Sequence, residues 1–407
     1  MDDSSEVIII GGGIIGCAIA CYLSDLQVGR VVVIERGRVA EASTSQAAGL
    51  LTRARSQRAL VPLVQETYCA IAQLEGELGE SLGLRTVGSL HVAESDDTKH
   101  ALEELVTVAR EFHIQVNWID PDKARRRVPW LHLRNGVQLA FMPEDAFIDP
   151  YMFTQAFAHA AQRKGVVFRE NTSVRSLLHQ GDCITGVSLG SDRMFSQTVI
   201  LAAGVWSGLL AWETGCGLPF APVRSHYWIT AAHALFSREQ SVVILPEARA
   251  YARPEGGRLL FGLREAHSVA VDPRALPDHL TGYTSEGDPR GWKALIEGGP
   301  ALERFCPALT EVQIAHYIAG LSAYTPDGLP LLGSWPGFQG AFVATGFSGM
   351  GIALAGGAGR ALAELVAGQP ATFDLSAFEP GRFGSVDPMS ESFRQRCADA
   401  RSRKVSG

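Results

Sequence analysis

Three glycines with the spacing G-x-G-x-x-G interrupt an apolar run near the start of the chain. Gly11, Gly13 and Gly16 follow the strand-like segment VIII and open the helix-like segment IIGCAIACYL. In such a unit the first glycine permits a tight turn, the second lets a pyrophosphate approach the backbone, and the third lets helix and strand pack closely. The helix N-terminus offers N–H groups and partial positive charge to phosphates. The spacing therefore predicts a dinucleotide site, with Glu35, at the end of the next strand, accepting hydrogen bonds from the ribose.

A second glycine-rich turn, near the other end of the chain, bears on which dinucleotide binds. The segment ATGFSGMGIAL places a helix N-terminus after residues 346–351, and TVILAAGVW leads a strand into a turn of small residues at 202–204. Reduction puts negative charge on the N1–C2=O edge of a flavin, and a helix N-terminus stabilises that charge. The two glycine-helix units together favour a flavin over a nicotinamide dinucleotide.

The elements that must position these turns alternate between helix and strand at both ends of the chain, whereas the middle is rich in strands. This pattern predicts an α/β fold with a Rossmann-like FAD-binding domain, discontinuous in sequence, and a second, substrate domain with a mixed or antiparallel sheet. We assign residues 1–84, 151–217 and 319–380 to the first domain, 85–150 and 218–318 to the second, and 381–407 to a polar tail.

Composition argues against several classes of protein. The 407 residues carry a net charge of −7 without a basic block, so no nucleic-acid partner is expected. The acidic start MDDSSE is unlike a secretory signal, and no uninterrupted apolar stretch reaches transmembrane length. The seven cysteines are scattered and contain no CxxC pair, as in a protein with reduced thiols. We predict a cytoplasmic protein with no transmembrane segment and no metal site.

Six motifs occur in order between about residue 6 and residue 370. They are the opening glycine unit, EASTSQAAGLL at 41–51, DAFIDP at 145–150, TVILAAGVW, TPDGLPLLG at 325–333 and TGFSGMGIALAGGAGRALAEL. This ordered set resembles the FAD-dependent amino-acid oxidase superfamily, which includes glycine oxidase, sarcosine oxidase, dimethylglycine dehydrogenase and D-amino-acid dehydrogenase. The resemblance implies a two-domain fold that binds FAD in an extended form.

The resemblance also implies which residues contact FAD. The pyrophosphate would meet Gly11, Gly13, Ile14, Ile15 and Gly16; the adenosine would meet Glu35, Arg36 and Val174; the phosphate and flavin would be lined by Ser43, Thr44, Ala48, Gly49 and Leu50; Ala203, Gly204 and Trp206 would pack beside the cofactor; and Gly346, Phe347, Ser348, Gly349, Met350 and Gly351 would cover the pyrimidine side of the flavin. Dimethylglycine-dehydrogenase-like members carry a covalent flavin on a histidine of the AAG motif. Gln46 stands at that place, so we expect non-covalent FAD.

The reaction implied by the resemblance is hydride transfer from the carbon that bears an amine to flavin N5. The resulting imine hydrolyses, and the electrons pass to oxygen or another acceptor. Such a reaction needs a neutral amine, a well-placed C–H bond and a dry site more than an acid or a base. The expected substrate is a small amine or amino acid: glycine-like, N-methylated or a D-amino acid.

A carboxylate on the substrate calls for an arginine, and here the chain departs from its relatives. Many amino-acid-oxidising members carry Arg-Pro just before the TPDG turn, where this chain has Ser322 and Ala323. Replacement cations could come from Arg53, Arg55, Arg224, Arg253 or Arg264. Alternatively, the carboxylate is absent or lies farther off.

Four side chains are candidates for the substrate side of the flavin: Tyr251 and Arg253 in AYARPEGGRLLFG, His226 in RSHYWIT, and Tyr324 before the TPDG turn. Each also suits a structural role, as a buried tyrosine or strand histidine or as a surface arginine. Some sarcosine oxidases place a lysine that promotes reaction with oxygen near LLFG. Leu260 aligns with it here, which favours a dehydrogenase slightly.

Two other functions remain open. A 2-hydroxy-acid dehydrogenase could use the same fold, because a C–H bond next to oxygen offers the same hydride. A flavin-binding subunit of a hetero-oligomeric dehydrogenase would bind the cofactor without turnover of its own. The sequence leaves both homo- and hetero-oligomers open.

Overall fold

The computed structural model describes residues 4–285 and 287–404, so the outermost residues of the expected first domain and tail, 1–3 and 405–407, lie outside the described residues. The helices are α1 (Ile14–Asp25), α2 (Val61–Leu78), α3 (Asp96–Glu111), α4 (Pro121–Arg127), α5 (Pro150–Arg163), α6 (Ser207–Trp212), α7 (Trp292–Glu303), α8 (Gly351–Val366) and α9 (Glu391–Arg403). The strands are β1 (Val7–Ile10), β2 (Val31–Ile34), β3 (Leu50–Leu51), β4 (Ser89–Ala93), β5 (Asn117–Trp118), β6 (Gln138–Met142), β7 (Ala146–Phe147), β8 (Val167–Arg169), β9 (Ser176–Gln180), β10 (Cys183–Ser188), β11 (Arg193–Phe195), β12 (Thr198–Leu201), β13 (Ala221–Thr230), β14 (Val242–Leu245), β15 (Ala250–Glu255), β16 (Arg258–Leu263), β17 (Ile314–Tyr324), β18 (Leu331–Ser334) and β19 (Ala341–Thr345).

A six-stranded sheet with the order β18-β19-β12-β1-β2-β8 forms the nucleotide-binding half of the molecule. The strands from β19 to β8 run parallel, and β18 is an antiparallel edge strand. The central strands are continuous Val/Ile runs that are buried along their whole length, as expected for a sheet covered on both faces. The predicted Rossmann-like domain is confirmed.

Helices α1, α2 and α8 pack together on one side of this sheet. The small residues of α8 make that packing possible: a Cβ on Gly357 would lie 2.3 Å from the Cα of Leu63 in α2. The glycine-rich sequence GIALAGGAG therefore allows close helix contact and also sets where α8 begins.

The second half of the molecule contains an eight-stranded sheet with the order β17-β13-β16-β15-β14-β4-β6-β5. Only the pair β14–β4 is parallel, so the sheet is mixed, as predicted. β17 pairs with β13 from Ile314 to Tyr324. The domain boundary expected between residues 318 and 319 therefore falls inside a strand, and this sheet extends to Tyr324.

Part of the segment expected to be a polar tail folds back as a helix. Phe393, Cys397 and Ala398 of α9 are buried against Ala221 and Val223 of β13. Phe393, Cys397 and Arg401 recur at i, i+4 spacing, which gives this polar helix one buried face. Helix α9 is thus part of the second half of the molecule.

Within residues 4–285 and 287–404, no helix combines the length and apolarity required to cross a bilayer.

Candidate active site

An elongated cleft lies between the carboxyl edge of the six-stranded sheet and the eight-stranded sheet. Its empty volume is about 2070 Å³, including open solvent, and it is lined by the β1–α1 turn, the 42–50 segment, the turn before α8 and parts of β13, β15 and β17. The cleft therefore joins the glycine turns of the first sheet to side chains of the second sheet.

The β1–α1 turn, which we call the cradle, lines the cleft. Gly11 adopts φ +110°, and a Cβ there would lie 2.5 Å from the carbonyl oxygen of Ala202. Gly11, Gly13, Ile14 and Ile15 line the cleft, and the Ile14 N–H donates to Thr44 Oγ1 at 3.2 Å. Gly16 does not line it; a Cβ on Gly16 would come within 1.9 Å of the Gly11 carbonyl oxygen. Gly16 therefore serves the packing of helix on strand that its place in the motif requires.

The end of β2 lies at the cleft, in the region where the sequence predicts the adenosine. The Glu35 carboxylate accepts hydrogen bonds from the Gly12 N–H at 2.7 Å and the Gly37 N–H at 2.8 Å, which hold it at the cleft. The guanidinium of Arg36 lies 4.6 Å from the ring centroid of Trp206 and donates to the Asp278 carbonyl oxygen at 2.9 Å. Val174 also lines the cleft. These groups suit a ribose and an adenine ring.

The 42–50 segment contains an unsatisfied buried acceptor. The side-chain amide of Gln46 donates to the Leu280 carbonyl oxygen at 2.7 Å, whereas its Oε1 is buried with no hydrogen-bond partner among the described residues. Leaving such an atom unpaired costs about 1–3 kcal/mol. Ser43, Thr44, Ala48, Gly49 and Leu50 line the same cleft.

The turn before α8 closes the opposite wall. The Ser348 N–H donates to the Ala323 carbonyl oxygen at 2.8 Å, and Thr345 Oγ1 donates to the Gly204 carbonyl oxygen at 3.0 Å. The second bond ties this turn to the small-residue turn after β12. All of residues 346–351, with Ala203, Gly204 and Trp206, line the cleft, and α8 begins there at Gly351. The N-terminus of α8 therefore faces the cleft, as the sequence predicts for a helix that stabilises a reduced flavin.

Three of the four candidate catalytic residues line the cleft: Tyr251, His226 and Tyr324. Burial raises the pKa of Tyr251 to about 12, so its phenol stays protonated near neutral pH. Arg253 does not line the cleft. Its Nε donates to the Ala48 carbonyl oxygen at 2.8 Å, and its guanidinium also pairs with Glu255. The structure thus places Arg253 behind the 42–50 segment, which it supports.

His226 lies in an aromatic cluster at the cleft wall. Its ring centroid is 4.7 Å from that of Trp228, and Nδ1 is 3.1 Å from the Tyr317 hydroxyl. Burial, together with the positive charges of Arg401 and Arg224, lowers the pKa of His226 to about 2. The imidazole is therefore neutral at physiological pH and is not a proton donor of the imidazolium type.

The five candidate anion-binding arginines separate into two groups. Arg55 and Arg264 are buried and line the cleft. Arg224 pairs with Glu265 and Asp288, and Arg253 pairs with Glu255. Arg53 stacks over Tyr68, with 3.6 Å from the guanidinium carbon to the ring centroid. Of these five arginines, the structure brings Arg55 and Arg264 to the cleft.

Two further cations in the cleft were not predicted from the sequence. Arg401, at the end of α9, and Lys404, just beyond it, both line the cleft. The i, i+4 spacing of the residues that are buried in α9 could have predicted this helix from the sequence. The surface on which that helix docks depends on β13 and β17, which are distant in sequence.

The structure combines a parallel nucleotide-binding sheet, two glycine turns that each precede a helix, and a cleft against a mixed sheet. This combination is typical of a flavoprotein that binds a dinucleotide. The family model described as DAO, FAD dependent oxidoreductase, matches residues 6–365. The chain belongs to this family, and FAD is its cofactor.

The curated relatives cover enzymes of different lengths and one regulatory protein. Human mitochondrial dimethylglycine dehydrogenase is 29% identical over 94% of this chain, and Pseudomonas aeruginosa glycine oxidase is 29% identical over 93%. The mouse mitochondrial regulatory subunit of pyruvate dehydrogenase phosphatase is 28% identical over 96%. The alignment spans 45% of the first relative and 44% of the third, but 99% of glycine oxidase. The chain thus spans about half the length of several relatives that it matches.

Among solved structures, L-proline dehydrogenase from P. horikoshii has a TM-score of 0.82 at 24% identity and covers 94% of this chain and 98% of its own. At this identity the similarity concerns the fold.

Proposed function

We propose that this protein oxidises the C–N bond of a small amine or amino acid and passes the electrons to oxygen or another acceptor. The observation that carries the proposal is the composition of the cleft beyond the cofactor cradle. Tyr251, Tyr324 and His226 line it together with buried cations. The shifted pKa values of Tyr251 and His226 keep the phenol protonated and the imidazole neutral. The names of the relatives, glycine oxidase and dimethylglycine dehydrogenase, support the same class of reaction.

In this proposal the protein positions the substrate, shields it from water and supplies electrostatic potential. Bound FAD supplies the hydride acceptor. The residues that would hold it are those of the cradle and the turn before α8. Tyr251 and Tyr324 would shield the reacting carbon of a bound substrate from water, which would favour a reaction that depends on alignment more than on acid–base catalysis.

The cations also favour the reactive protonation state of the substrate. Arg55, Arg264 and Arg401 are 3%, 8% and 4% exposed, so their charge acts in a poorly solvated space. Positive charge close to an ammonium group lowers its pKa. The neutral amine, which can release a hydride from its carbon, would therefore be populated at lower pH than in water.

A turnover assay with matched substrate pairs tests the proposal. The FAD-loaded protein is offered glycine and glycolate, D-alanine and D-lactate, then sarcosine, dimethylglycine and L-proline, with an artificial electron acceptor or oxygen. The proposal predicts turnover with an amine and none with its hydroxy partner, with release of ammonia or an alkylamine. Turnover of hydroxy acids alone would indicate the 2-hydroxy-acid dehydrogenase.

The regulatory relative defines the non-enzymatic alternative. A protein that binds FAD stoichiometrically but turns over no amine, amino acid or hydroxy acid would fit a flavin-binding subunit. An oxygen electrode in the same assay separates an oxidase from a dehydrogenase.

A further inference from the structure

A loop from the second half of the molecule forms part of the cleft wall beside the first half. Residues 277–281 belong to the connection between β16 and α7, and we call them the strap. Four of the five line the cleft: Asp278, His279, Leu280 and Thr281. The strap therefore shares the cleft with the cradle, although it comes from the half of the chain that contains the eight-stranded sheet.

Three side chains of the first half donate hydrogen bonds to backbone carbonyl oxygens of the strap. Trp206 Nε1, Arg36 Nη1 and Gln46 Nε2 donate, in that order, to the carbonyl oxygens of Pro277, Asp278 and Leu280, at 3.0, 2.9 and 2.7 Å. Because the acceptors are backbone atoms, these bonds fix the path of the strap and not only the rotamers of its side chains. The strap is thus fastened to the first half at three successive points.

The three donors lie in the part of the cleft that the sequence assigns to the cofactor. Arg36 and Trp206, both expected beside FAD, contact each other, with 4.6 Å from the guanidinium carbon to the ring centroid. Gln46 lies in the 42–50 segment, which also lines the cleft. A dinucleotide that contacts these side chains would therefore lie next to the strap as well.

The strap has one buried anchor. Leu280 is 1% exposed and belongs to the apolar core that includes residues of β1 and β12, whereas Pro277, Asp278 and His279 are exposed. The Asp278 carboxylate is 90% exposed and lies 3.9 Å from Arg36 Nη1, so this ion pair contributes little in water. The three hydrogen bonds and the burial of Leu280 are therefore the contacts that hold the strap.

We propose that the strap retains FAD: it closes the cofactor part of the cleft while Trp206, Arg36 and Gln46 hold it, and FAD enters and leaves only while it is open. This role goes beyond the proposed function, because it concerns retention of the cofactor and not the reaction. A segment held by a few hydrogen bonds opens more readily than the whole protein unfolds. Opening of the strap would leave the two halves folded.

This role predicts a particular kinetic signature. Weaker closure makes the open form more populated both with and without FAD, so the association and dissociation rate constants rise by the same factor and the Kd stays the same. A side chain that only contacts FAD behaves differently, since its loss raises the dissociation rate constant and the Kd together. The two rate constants therefore distinguish a strap that closes the cleft from an ordinary cofactor contact.

Stopped-flow fluorescence of FAD with the apoprotein gives the association rate constant. Dissociation is followed after mixing the FAD-loaded protein with an excess of a second apoflavoprotein, which captures released FAD. The first variant is Trp206→Phe, which keeps an aromatic ring beside Arg36 but lacks the indole N–H. Its matched control is Trp212→Phe, the same change at a tryptophan of α6 that is 44% exposed.

A second pair of variants tests another fastening point of the strap. Arg36→Met removes the donor to the Asp278 carbonyl oxygen. Its matched control is Arg38→Met, which removes the same charge from an exposed residue two positions further along the chain. Circular dichroism and the flavin-to-protein ratio show whether each variant folds and binds FAD, and either pair suffices for the test.

We expect Trp206→Phe and Arg36→Met each to raise both rate constants by roughly fivefold, the effect of one hydrogen bond, with the Kd unchanged within about twofold. Trp212→Phe and Arg38→Met should keep both rate constants of the unmodified protein. Hydrogen exchange in a peptide that spans the strap should be faster in the apo form of Trp206→Phe than in that of Trp212→Phe.

Two results would overturn the proposal. In the first, neither rate constant changes in the folded variants, so the strap does not limit passage of FAD. In the second, dissociation becomes faster while association stays the same and the Kd rises, so the side chains are contacts of FAD alone. No substrate is used, so the result is independent of whether the protein oxidises an amine.

Discussion

The amino group of Lys404 donates a hydrogen bond to the carbonyl oxygen of Ser348 at 3.2 Å. This contact joins the last described residue of the chain to the turn that precedes α8. It brings a cation from the C-terminal segment to the same wall of the cleft as residues 346–351. A segment that looks like a polar tail in the sequence therefore forms part of the site.

Gly13→Glu should abolish FAD binding. A Cβ at this position would lie 3.2 Å from Thr44 Oγ1, and the added carboxylate would enter the cradle and repel the pyrophosphate. The measurement is the flavin-to-protein ratio after purification and after incubation with excess FAD. Gly76→Glu, at an exposed position of α2 with no atom within 4 Å of an added Cβ, is the matched control and should retain FAD. Stoichiometric flavin in Gly13→Glu would refute this placement of the phosphates.

Glu35→Gln should raise the Kd for FAD by roughly tenfold. The charged acceptor proposed for the ribose is lost, and the new amide cannot accept from both the Gly12 and Gly37 N–H groups. Titration of the apoprotein with FAD, followed by quenching of flavin fluorescence, gives the Kd. Glu80→Gln, at an exposed site after α2, controls for the charge change. An unchanged Kd would place the adenosine elsewhere.

FAD should dissociate when the protein unfolds, because no covalent bond is expected to hold it. Gln46 stands where relatives with a covalent flavin carry histidine, and an amide does not form that bond. After acid precipitation, the yellow colour should remain in the supernatant. Colour that stays with the precipitated polypeptide would contradict the prediction.

Stability should fall as the pH is lowered below 6.5, in part because of His226. Its pKa is about 2 in the folded protein, against 6.5 without the fold. The unfolded chain therefore binds a proton that the folded chain rejects, and the unfolding free energy drops by about 1.4 kcal/mol per pH unit below 6.5 for this group.

Urea titrations of the FAD-loaded protein between pH 6.5 and 4.5 measure that slope. His226→Gln should give a shallower dependence on pH, whatever its effect on stability at pH 7. His100→Gln changes an imidazole whose side chain is 75% exposed and should leave the slope unchanged. A slope in His226→Gln equal to that of the unmodified protein would show that His226 titrates normally.

The cofactor cradle could be predicted from local sequence, because the residues that indicate it lie close together in the chain. The strand, glycine turn, helix and Glu35 all fall within 7–35, and each element restricts its neighbours. The start of α8 was equally readable, because a glycine-rich turn lies directly between a strand and an apolar helix. The roles of individual residues were less visible: Gly16 lies behind the turn and Arg253 behind the 42–50 segment.

Contacts between segments distant in sequence could not be predicted. Arg401 reaches the cleft only because α9 docks on β13, and its partner Glu265 is 136 residues away. The end of β17 at Tyr324 likewise depends on pairing with Ala221 of β13. The spacing of apolar residues in one sequence indicates which face of a helix is buried. It does not indicate which surface covers that face.

The most direct test of the account is the absorption spectrum of the FAD-loaded protein during anaerobic addition of amines, amino acids and hydroxy acids. The account predicts that the flavin band near the visible maximum bleaches with at least one amine or amino acid and that the matched hydroxy acid leaves it unchanged. Bleaching by hydroxy acids alone, or a protein that binds no FAD, would contradict it.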